Sequence, residues 1–399
     1  SKFPIEILSL KINDLKYQPL EKTIIKPKEK FRRIKKIEID FETNDMLSLQ
    51  NQNLENEILV YYRIFGTKKI KSFKSNLLPW TDATKISSPL VIRKSNLRDF
   101  NSLVIDYKKK KVFIQKDLII DKPLIIPKDF SLEVEPGINI SFKKDGLLVI
   151  KGGINLNGTF DEPIEISSDD NGRGIVVIDS TINSFINHAV FKNLKPPLLK
   201  SFNFTGGITF YNSPVEISNS KFINSISEDA LNLINSSFVI SKSLFNGSLS
   251  DGIDIDFSNG SISESEFINT GNDAIDISGG NVKLSKLKIF SAGDKGISVG
   301  ERSNVIANQI EINNSFIGIA SKDLSSIKIN NLKSSNLEVC LAAYQKKSEY
   351  GPGFININSE NNFCLDNYIL ENGSSISYKS KKLVPNKKNV FEFLYSNKK

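Results

Sequence analysis

The sequence predicts an all-β protein built on a parallel β-helix with about 22 residues per coil. Small residues recur at a constant step of 22, at Ala230, Gly252, Ala274, Gly296, Gly318 and Cys340. An aliphatic residue follows each of them, at Leu231, Ile253, Ile275, Ile297, Ile319 and Leu341. From Val112 onward the apolar runs are short, are broken by Asn, Gly and Ser, and lack helical periodicity. Each coil offers the same inward positions to its neighbours, so each column predicts one stack in the core.

A third column supports the same register over four coils. It consists of Ile223, Phe245, Phe267 and Ile289. The next step of 22 falls on Glu311, which lies between Ile310 and Ile312. We therefore expect the strand register to shift by one residue there.

The pattern divides the chain into three parts. Residues 1–110 are predicted to form a small basic β-rich domain or cap, because strand-like runs occur at 35–41 and 57–64. Trp80 is assigned to the core of this part. Residues 111–382 are predicted to form the β-helix, with about a dozen coils and corners at Pro136-Gly137, Gly152-Gly153 and Gly158. Residues 383–399 are predicted to form a capping strand, at 390–395, and a polar tail.

The net charge of +8 is concentrated near the start of the chain. Residues 1–111 hold 24 Lys+Arg and 13 Asp+Glu, whereas residues 112–399 hold 29 and 32. The basic positions include Lys26, Lys28, Lys30, Arg32, Arg33, Lys35, Lys36 and Lys108 to Lys111. These runs lack interleaved aromatic residues and match no DNA-reading motif, so we interpret them as a solvated face and expect no nucleic-acid partner.

The cysteine and histidine content excludes a structural zinc site of the usual kind, because the chain has two cysteines and one histidine. Cys340 and Cys364 are either a disulfide or two buried thiols, and both interpretations stay open. His188 has no accompanying serine or cysteine motif and is assigned to packing or to the surface. No apolar run is long enough to span a membrane. Ser1 is not preceded by Met, which is compatible with removal of a leader or of a larger domain.

An acidic segment interrupts the nearly neutral repeat. Residues 251–300 contain eight acids and four bases. Alternation that buries Ile253 and Ile255 directs Asp254 and Asp256 outward. Asp276 is then predicted to stack on Asp254, one coil later. In the neighbouring column, the order is predicted to be Asp229, Asp251, Asp273 and Lys295. Like charges one coil apart raise at least one pKa in the group.

Three segments in this region resemble the active-site blocks of polygalacturonase-type glycoside hydrolases. They are SDGIDID at 250–256, GNDAIDISG at 271–279 and GDKGISVGE at 293–301. The resemblance implies a right-handed parallel β-helix and the hydrolysis of pectic polysaccharide with inversion. It places Asp251 at the acid of the first block and Asp273 at the second acid of the next block. Asn272 stands where the family has its proton donor, and Lys295 where it has a histidine. Because Asn does not protonate a leaving group, ordinary polygalacturonase activity is not expected.

A second resemblance covers more of the chain, from about Leu132 to its end. The order of these blocks, followed by GIASKDLS at 318–325 and YGPG at 350–353, is similar to the β-helix regions of bacterial proteins that also carry a CotH-like kinase domain. The chain has neither a Gly-rich phosphate loop nor a kinase catalytic block, so no kinase activity is implied. The resemblance and the β-helix class imply an exported protein, extracellular or in the cell envelope, with an upstream domain or a protein partner.

Two functions remain open at this stage. The first is a non-catalytic β-helix that binds an envelope glycan, another polysaccharide or a protein at its acidic face. The alternative is a lyase, epimerase or hydrolase acting on an acidic polysaccharide. The candidate catalytic residues are Asp251, Asp273 and Lys295. The candidate substrate-binding residues are Asp229, Asp254, Asp256, Asp276, Asp294 and Phe257. Calcium is the candidate cofactor, and its candidate ligands are Asp251, Asp254, Asp273 and Asp276.

Overall fold

The computed structural model describes residues 3–12, 15–27, 39, 41, 58–75, 94–199, 202–358 and 366–395. It divides the chain into two compact units, Ser1–Ile86 and Ser87–Lys399. Trp80, Cys364, most of the basic run at 28–36 and most of the strand predicted at 35–41 lie outside the described residues.

The first unit contains an antiparallel sheet of short strands. The strands are Ile5–Ile12, Leu15–Tyr17, Thr23–Ile25, Ile58–Ile64 and Ile70–Ser75. The carboxylate of Glu6 is buried in this sheet and accepts a hydrogen bond of 2.7 Å from Arg63 Nε on the adjacent strand. The described residues of this unit are thus mainly β-strands.

The second unit is a parallel β-helix of about 12 coils, with roughly 22 residues in a coil. Its strands form three parallel ladders, which we call sheets 1, 2 and 3. Sheet 1 contains Lys111–Ile114, Ser131–Val134, Gly153–Asn157, Ser184–Asn187, Val215–Ser218, Ser237–Ser241, Asn259–Ser263, Phe354–Asn358 and Ser375–Tyr378. Sheet 2 contains Leu118–Ile120, Asn139–Phe142, Ile164–Ser168, Ala189–Lys192, Lys221–Ile223, Leu244–Asn246 and Glu266–Thr270.

Sheet 3 carries the acidic segment. It contains Leu124–Ile126, Leu148–Ile150, Ile175–Ile178, Gly206–Tyr211, Asp229–Ile234, Asp251–Asp256, Ile275–Ser278, Lys295–Gly300 and Tyr368–Leu370. Three long strands bend around the corners and join more than one sheet, namely Asn281–Ala292, Asn304–Lys322 and Ser326–Tyr344. A small antiparallel hairpin, Leu198–Leu199 with Phe202–Asn203, precedes the fourth strand of sheet 3.

The core consists of columns that run along the helix axis. The predicted aliphatic column is confirmed, because Leu231, Ile253, Ile275, Ile297, Ile319 and Leu341 are paired coil by coil. The small-residue column lies beside it. A Cβ added to Gly252 would lie 2.5 Å from the carbonyl oxygen of Ala274, so this coil has no room for a side chain at that position.

The third predicted column is partly wrong. Phe222, not Ile223, pairs with Phe245, and the column continues through Phe267 and Ile289. The segment between Phe222 and Asp229 is one residue longer than the segment between Phe245 and Asp251, so Phe222 lies one residue earlier than the constant step predicts. The register shift expected at Glu311 is confirmed, because Ile289 pairs with Ile312.

Asparagine is the most frequent non-glycine residue with a positive φ at the corners of the described coils. Asn212, Asn219 and Asn235 have φ near 48°, in the left-handed region that asparagine tolerates. His188 has the same φ and is thus a corner residue. Serine hydroxyls accept hydrogen bonds from backbone N–H groups of the preceding coil, as at Ser236, which accepts from Ser213 N at 2.9 Å.

Both ends of the solenoid are covered. Leu97 and Phe100, next to the 3-10 helix Leu97–Asp99, are buried in the core, and Leu103–Asp106 pairs with the first strand of sheet 1. Residues 94–110 therefore belong with the β-helix and not with the N-terminal domain to which the sequence assigned them. The short strand Lys381–Lys382 pairs with the last strand of sheet 1.

Residues 390–395 form an α-helix, Val390–Tyr395, and not the predicted capping strand. Its buried residues, Val390 and Leu394, pack on the outside of sheet 3. An i, i+4 apolar pair matches one face of a helix, which explains the difference.

Cys340 is buried and disulfide-bonded. In the described part of the chain, no helix has the length and apolarity needed to cross a membrane.

Candidate functional site

The outward column in the middle of sheet 3 leads to the site. Its register gives Ile125, Val149, Val176, Thr209, Asn232, Asp254, Asp276, Ser298, Ala320, Ala342 and Ile369. All of these residues are buried except Asp254 and Asp276, which are half-buried. The two carboxylates therefore lie in a window in an otherwise covered sheet face, which we call the acidic window.

The predicted neighbouring column is also confirmed. Asp229 pairs with Asp251, and the carboxylate of Asp251 accepts a hydrogen bond from Asp273 N at 2.8 Å. Asp273 accepts in the same way from Lys295 N at 2.9 Å. These four side chains are buried, whereas the sequence predicted an outward acidic face, because other parts of the chain cover this column.

Lys295 holds the buried end of this column together. Its Nζ lies 2.5 Å from Asp294 Oδ2 and 3.2 Å from Asp273 Oδ1. The ring of Tyr395 lies over the same ammonium at 5.7 Å, and its hydroxyl donates to Asp294 Oδ2 at 3.1 Å. Burial lowers the pKa of Lys295, but the carboxylate of Asp273, together with other neighbouring groups that include Asp294, outweighs burial and raises that pKa well above its usual value. Lys295 is thus a charged member of a closed ion-pair network.

Asp251 is held by two donors to the same oxygen. Asn272 Nδ2 and Asp273 N both lie 2.8 Å from Asp251 Oδ1. Burial, with the nearby carboxylate of Asp273, raises the pKa of Asp251 to about 7. The structure therefore places the candidate catalytic residues Asp251, Asp273 and Lys295 together, but in the interior.

Lys322 is the residue that sequence analysis missed. It is buried, donates to Ser298 Oγ at 2.7 Å and lies 3.6 Å from Asp276 Oδ1. Gly300 leaves room for its stem, since a Cβ added there would lie 2.9 Å from Lys322 Cε. The 22-residue repeat could have revealed the position of Lys322, because this residue occupies the column of Asp256 and Ser278.

Lys322 gives the two window carboxyl groups different electrostatic environments. Burial raises the pKa of Asp276, but the ammonium of Lys322, together with that of Lys295 and other neighbouring groups, outweighs burial and holds that pKa below its usual value. Asp254 is not ion-paired in the described part of the chain. Burial, followed by the carboxylates of Asp256 and Asp229, raises the pKa of Asp254 well above its usual value. The pKa values of the two window carboxyl groups are thus displaced in opposite directions, so Asp254 keeps its proton to higher pH than Asp276.

The pKa values of the acidic residues around Asp254 are raised as well. Burial raises the pKa of Asp229 to about 7, with the carboxylate of Asp251 adding to the effect. Burial also raises the pKa of Asp256. Asn232 Nδ2 donates to Asp254 Oδ2 at 3.2 Å and fixes that carboxyl group in place.

The candidate calcium site does not fit these residues. The carboxylate of Asp273 forms an ion pair with Lys295, and the carboxylate of Asp276 forms one with Lys322. Among the residues that the structure describes, no group of three or more His, Cys, Asp or Glu side chains is arranged to hold a metal ion. We therefore assign no step to calcium.

Phe257 lies beside the acidic window. It follows Asp256 at a corner with φ 50° and is 57% exposed. Its ring covers Gly279, where an added Cβ would lie 2.6 Å from Phe257 Cδ1. Gly279 thus lets the ring lie flat against the next coil, as a stacking surface for a sugar requires.

A cationic loop borders the window on the side of Lys322. The carboxylate of Asp323 accepts from the backbone N–H groups of Lys346 and Lys347, at 2.8 and 2.7 Å. Lys347 forms an ion pair with Glu301. Burial, followed by the charges of Lys322 and Lys295, lowers the pKa of Lys346.

Comparison with known proteins finds solved structures of low similarity to this chain. No protein-family model and no curated protein matches the sequence. A point mutant of the periplasmic alginate epimerase AlgG is 14% identical with a TM-score of 0.43, over 69% of this chain and 77% of that one. Tailspike protein 2 from Escherichia coli O157:H7 bacteriophage CAB120 is 13% identical with a TM-score of 0.37, over 68% and 43%.

An alginate lyase from Paenibacillus sp. str. FPU-7 is 10% identical with a TM-score of 0.35, over 68% of this chain and 95% of that one. Two of these three structures are named as alginate enzymes, an epimerase and a lyase.

Proposed function

We propose that the chain is a carbohydrate-active enzyme that cleaves a glycosidic bond at the acidic window, with Asp254 as the acid and Asp276 as the base. The observation that carries the proposal is the displacement in opposite directions of the pKa values of two carboxyl groups on adjacent coils. Pairs of titratable groups whose environments separate their pKa values identify the acid and the base of an active site.

Each residue has a defined task in this scheme. Asp254 gives its proton to the glycosidic oxygen as the bond from that oxygen to the sugar breaks. In hydrolysis, Asp276 either attacks the sugar carbon itself or removes a proton from the water that attacks this carbon. In elimination, Asp276 removes a proton from a sugar C–H group. Lys322 keeps Asp276 ionised and does not touch the substrate, because it is buried.

The assignment moves the chemistry away from Asp251, Asp273 and Lys295. A group that transfers a proton to a substrate must come within hydrogen-bond reach of it. Those three side chains are at most 8% exposed and donate or accept within their own network. In the proposal they support the floor of the site, and the carboxylate of Asp251 also contributes to the raised pKa of Asp254.

The proposal favours catalysis over the non-catalytic binding that the sequence suggested first. A binding surface gains nothing from a buried lysine that controls the protonation of one carboxylate. A sugar substrate is favoured by the partly exposed Asp256, which accepts hydroxyl hydrogen bonds, and by the ring of Phe257. The resemblance of the three blocks to polygalacturonase-type enzymes supports the same class.

Incubation with a panel of uronic-acid and neutral polysaccharides, followed by mass spectrometry, tests the proposal. We expect an oligosaccharide product from one substrate class, with its mass distinguishing hydrolysis from elimination. Asp276→Asn and Asp254→Asn should each abolish it. The matched control is Glu266→Gln, which removes a carboxylate from sheet 2 that pairs with Lys288. Equal turnover by the Asp276→Asn and Glu266→Gln variants would contradict the proposal.

We further propose that the chain acts outside the cytoplasm. The support is the disulfide at Cys340, since disulfides persist in oxidising compartments. Loss of folded protein on expression in a reducing compartment, restored in an oxidising one, is the expected result. Equal yield and melting temperature in both would contradict it.

A further inference from the structure

We infer that the acidic window takes the end of a glycan chain and does not hold the middle of a long chain. This inference rests on the proposed function. It follows from the burial of the residues that surround Asp254 and Asp276.

The wall toward the N-terminal coils is formed by the segment that enters the fourth strand of sheet 3. Phe204 packs in an apolar cluster with Val149 and Val176, on the outside of that sheet. An added Cβ on Gly206 would lie 2.8 Å from Asn232 Cβ, so this segment lies directly against the column. As a result Thr209 and Asn232 are at most 1% exposed, although their positions face outward.

The wall toward the C-terminal coils is formed by the helix Val390–Tyr395. Val390 and Leu394 pack on Ala320 and Ala342, which continue the column beyond Ser298. The backbone N–H of Val390 donates to Glu371 Oε1 at 3.2 Å, which fixes the start of the helix. A glycan laid along the helix axis would therefore meet this helix.

A third wall closes the side of the neighbouring column. Asp229, Asp251, Asp273 and Lys295 are all buried, and Tyr395 lies over Lys295. The fourth side is open, because Asp256 and Ser278 are half-buried and Phe257 is exposed. The window is thus closed on three sides and spans two coils, about 10 Å, since adjacent strands lie about 4.8 Å apart.

This shape selects the substrate. A chain that passes through a cleavage site needs two open sides, one for each direction of the chain. A single opening lets a chain enter and leave only by the same side, so its terminal sugars lie at Asp254 and Asp276. The products are then short oligosaccharides released from chain ends.

Two measurements on polymers of different length test the inference. With the wild-type protein, turnover of equal masses of long and shortened polygalacturonate, alginate or neutral glucan is followed by mass spectrometry and size-exclusion chromatography. We expect the rate to rise in proportion to the number of chain ends, while the long polymer shortens slowly. A rate set by polymer mass, with rapid loss of the longest chains, would overturn the inference and leave the proposed function standing.

Binding provides the second measurement and does not depend on turnover. The Asp276→Asn variant is titrated with chains of defined length, and Asp254→Asn serves if the first variant does not fold. We expect a fixed number of protein molecules per chain, whatever its length. A number that rises with chain length would overturn the inference. End-limited binding without wild-type turnover would contradict only the enzyme proposal, and no binding to any polymer would overturn both.

Discussion

Asp254 and Asp276 are the same residue type at equivalent positions of adjacent coils, and their environments nevertheless differ. Lys322 lies 3.6 Å from Asp276, whereas Asp254 is bordered by Asn232 and by other carboxyl groups. Lys322, with Lys295 and other neighbouring groups, therefore shifts the pKa of Asp276 in the direction opposite to that of Asp254.

The pH dependence of turnover tests the role of Lys322. Activity should fall at low pH as Asp276 takes up a proton and at high pH as Asp254 loses one. Lys322→Met removes the charge that lowers the pKa of Asp276, so the acidic limb of kcat/KM should move to higher pH. Lys288→Met, on the exposed pair with Glu266, is the control. An unchanged acidic limb in the Lys322 variant would contradict the assignment.

The raised pKa of Asp229 predicts that the stability of the protein depends on pH. Its pKa is about 7 in the folded chain, against an ordinary value of 3.8. Between these values the folded chain binds a proton that the unfolded chain has lost, so the free energy of unfolding falls as pH rises from about 4 to about 7. Asp229→Asn should remove this loss and stabilise the protein at pH 8 by an amount on the order of a few kcal/mol.

Urea denaturation at pH 4 and pH 8 measures this effect. At pH 4 the Asp229→Asn variant and the wild type should have nearly equal free energies of unfolding. Glu266→Gln, at an exposed ion pair, serves as the control and should show no such increase at pH 8. An Asp229→Asn variant that is less stable than the wild type at pH 8 would show that the carboxylate is stabilising.

At the scale of elements, sheet 2 is held by an aromatic stack. The rings of Phe191, Phe222, Phe245 and Phe267 follow one another with centroid distances of 5.0, 4.4 and 4.9 Å. Phe245→Ala should lower the free energy of unfolding by about 3 to 5 kcal/mol, because it leaves a cavity between two rings. Phe160→Ala, at a residue 85% exposed, is the control, and equal losses in denaturant titration would refute the stack as a source of stability.

A separate prediction concerns how the C-terminal helix is held on sheet 3. Leu394→Ala removes an apolar contact of the helix with sheet 3 and should loosen this wall of the window. Hydrogen exchange should become faster at Val390–Tyr395, while the amides of sheet 2 keep their protection. Phe393→Ala, an exposed position on the same helix, is the matched control. Equal exchange in the two variants would show that Leu394 does not anchor the helix.

At the scale of the whole molecule, the repeat made the solenoid predictable. A constant step of 22 determines which residues share a column, so the pairing of Asp254 with Asp276 followed from the sequence. The step failed at Phe222, where a corner of different length changes the register.

The acid and base assignment was not predictable in the same way. It depends on Lys322, which reaches back over Gly300 to a residue 46 positions earlier. The coverage of the site depends on the helix at 390–395, which the sequence assigned as a strand. Neither contact follows the repeat, and the resemblance to CotH-associated proteins stays a prediction.

We expect Asp254 to keep its proton to higher pH than Asp276 in the same window. Carbon-13 NMR of the aspartate carboxyl groups, assigned with Asp254→Asn and Asp276→Asn and followed across a pH titration, measures this directly. The Asp276 signal should titrate below the ordinary range for aspartate, and the Asp254 signal should titrate well above it. Two signals that titrate together near the ordinary value for aspartate would contradict it.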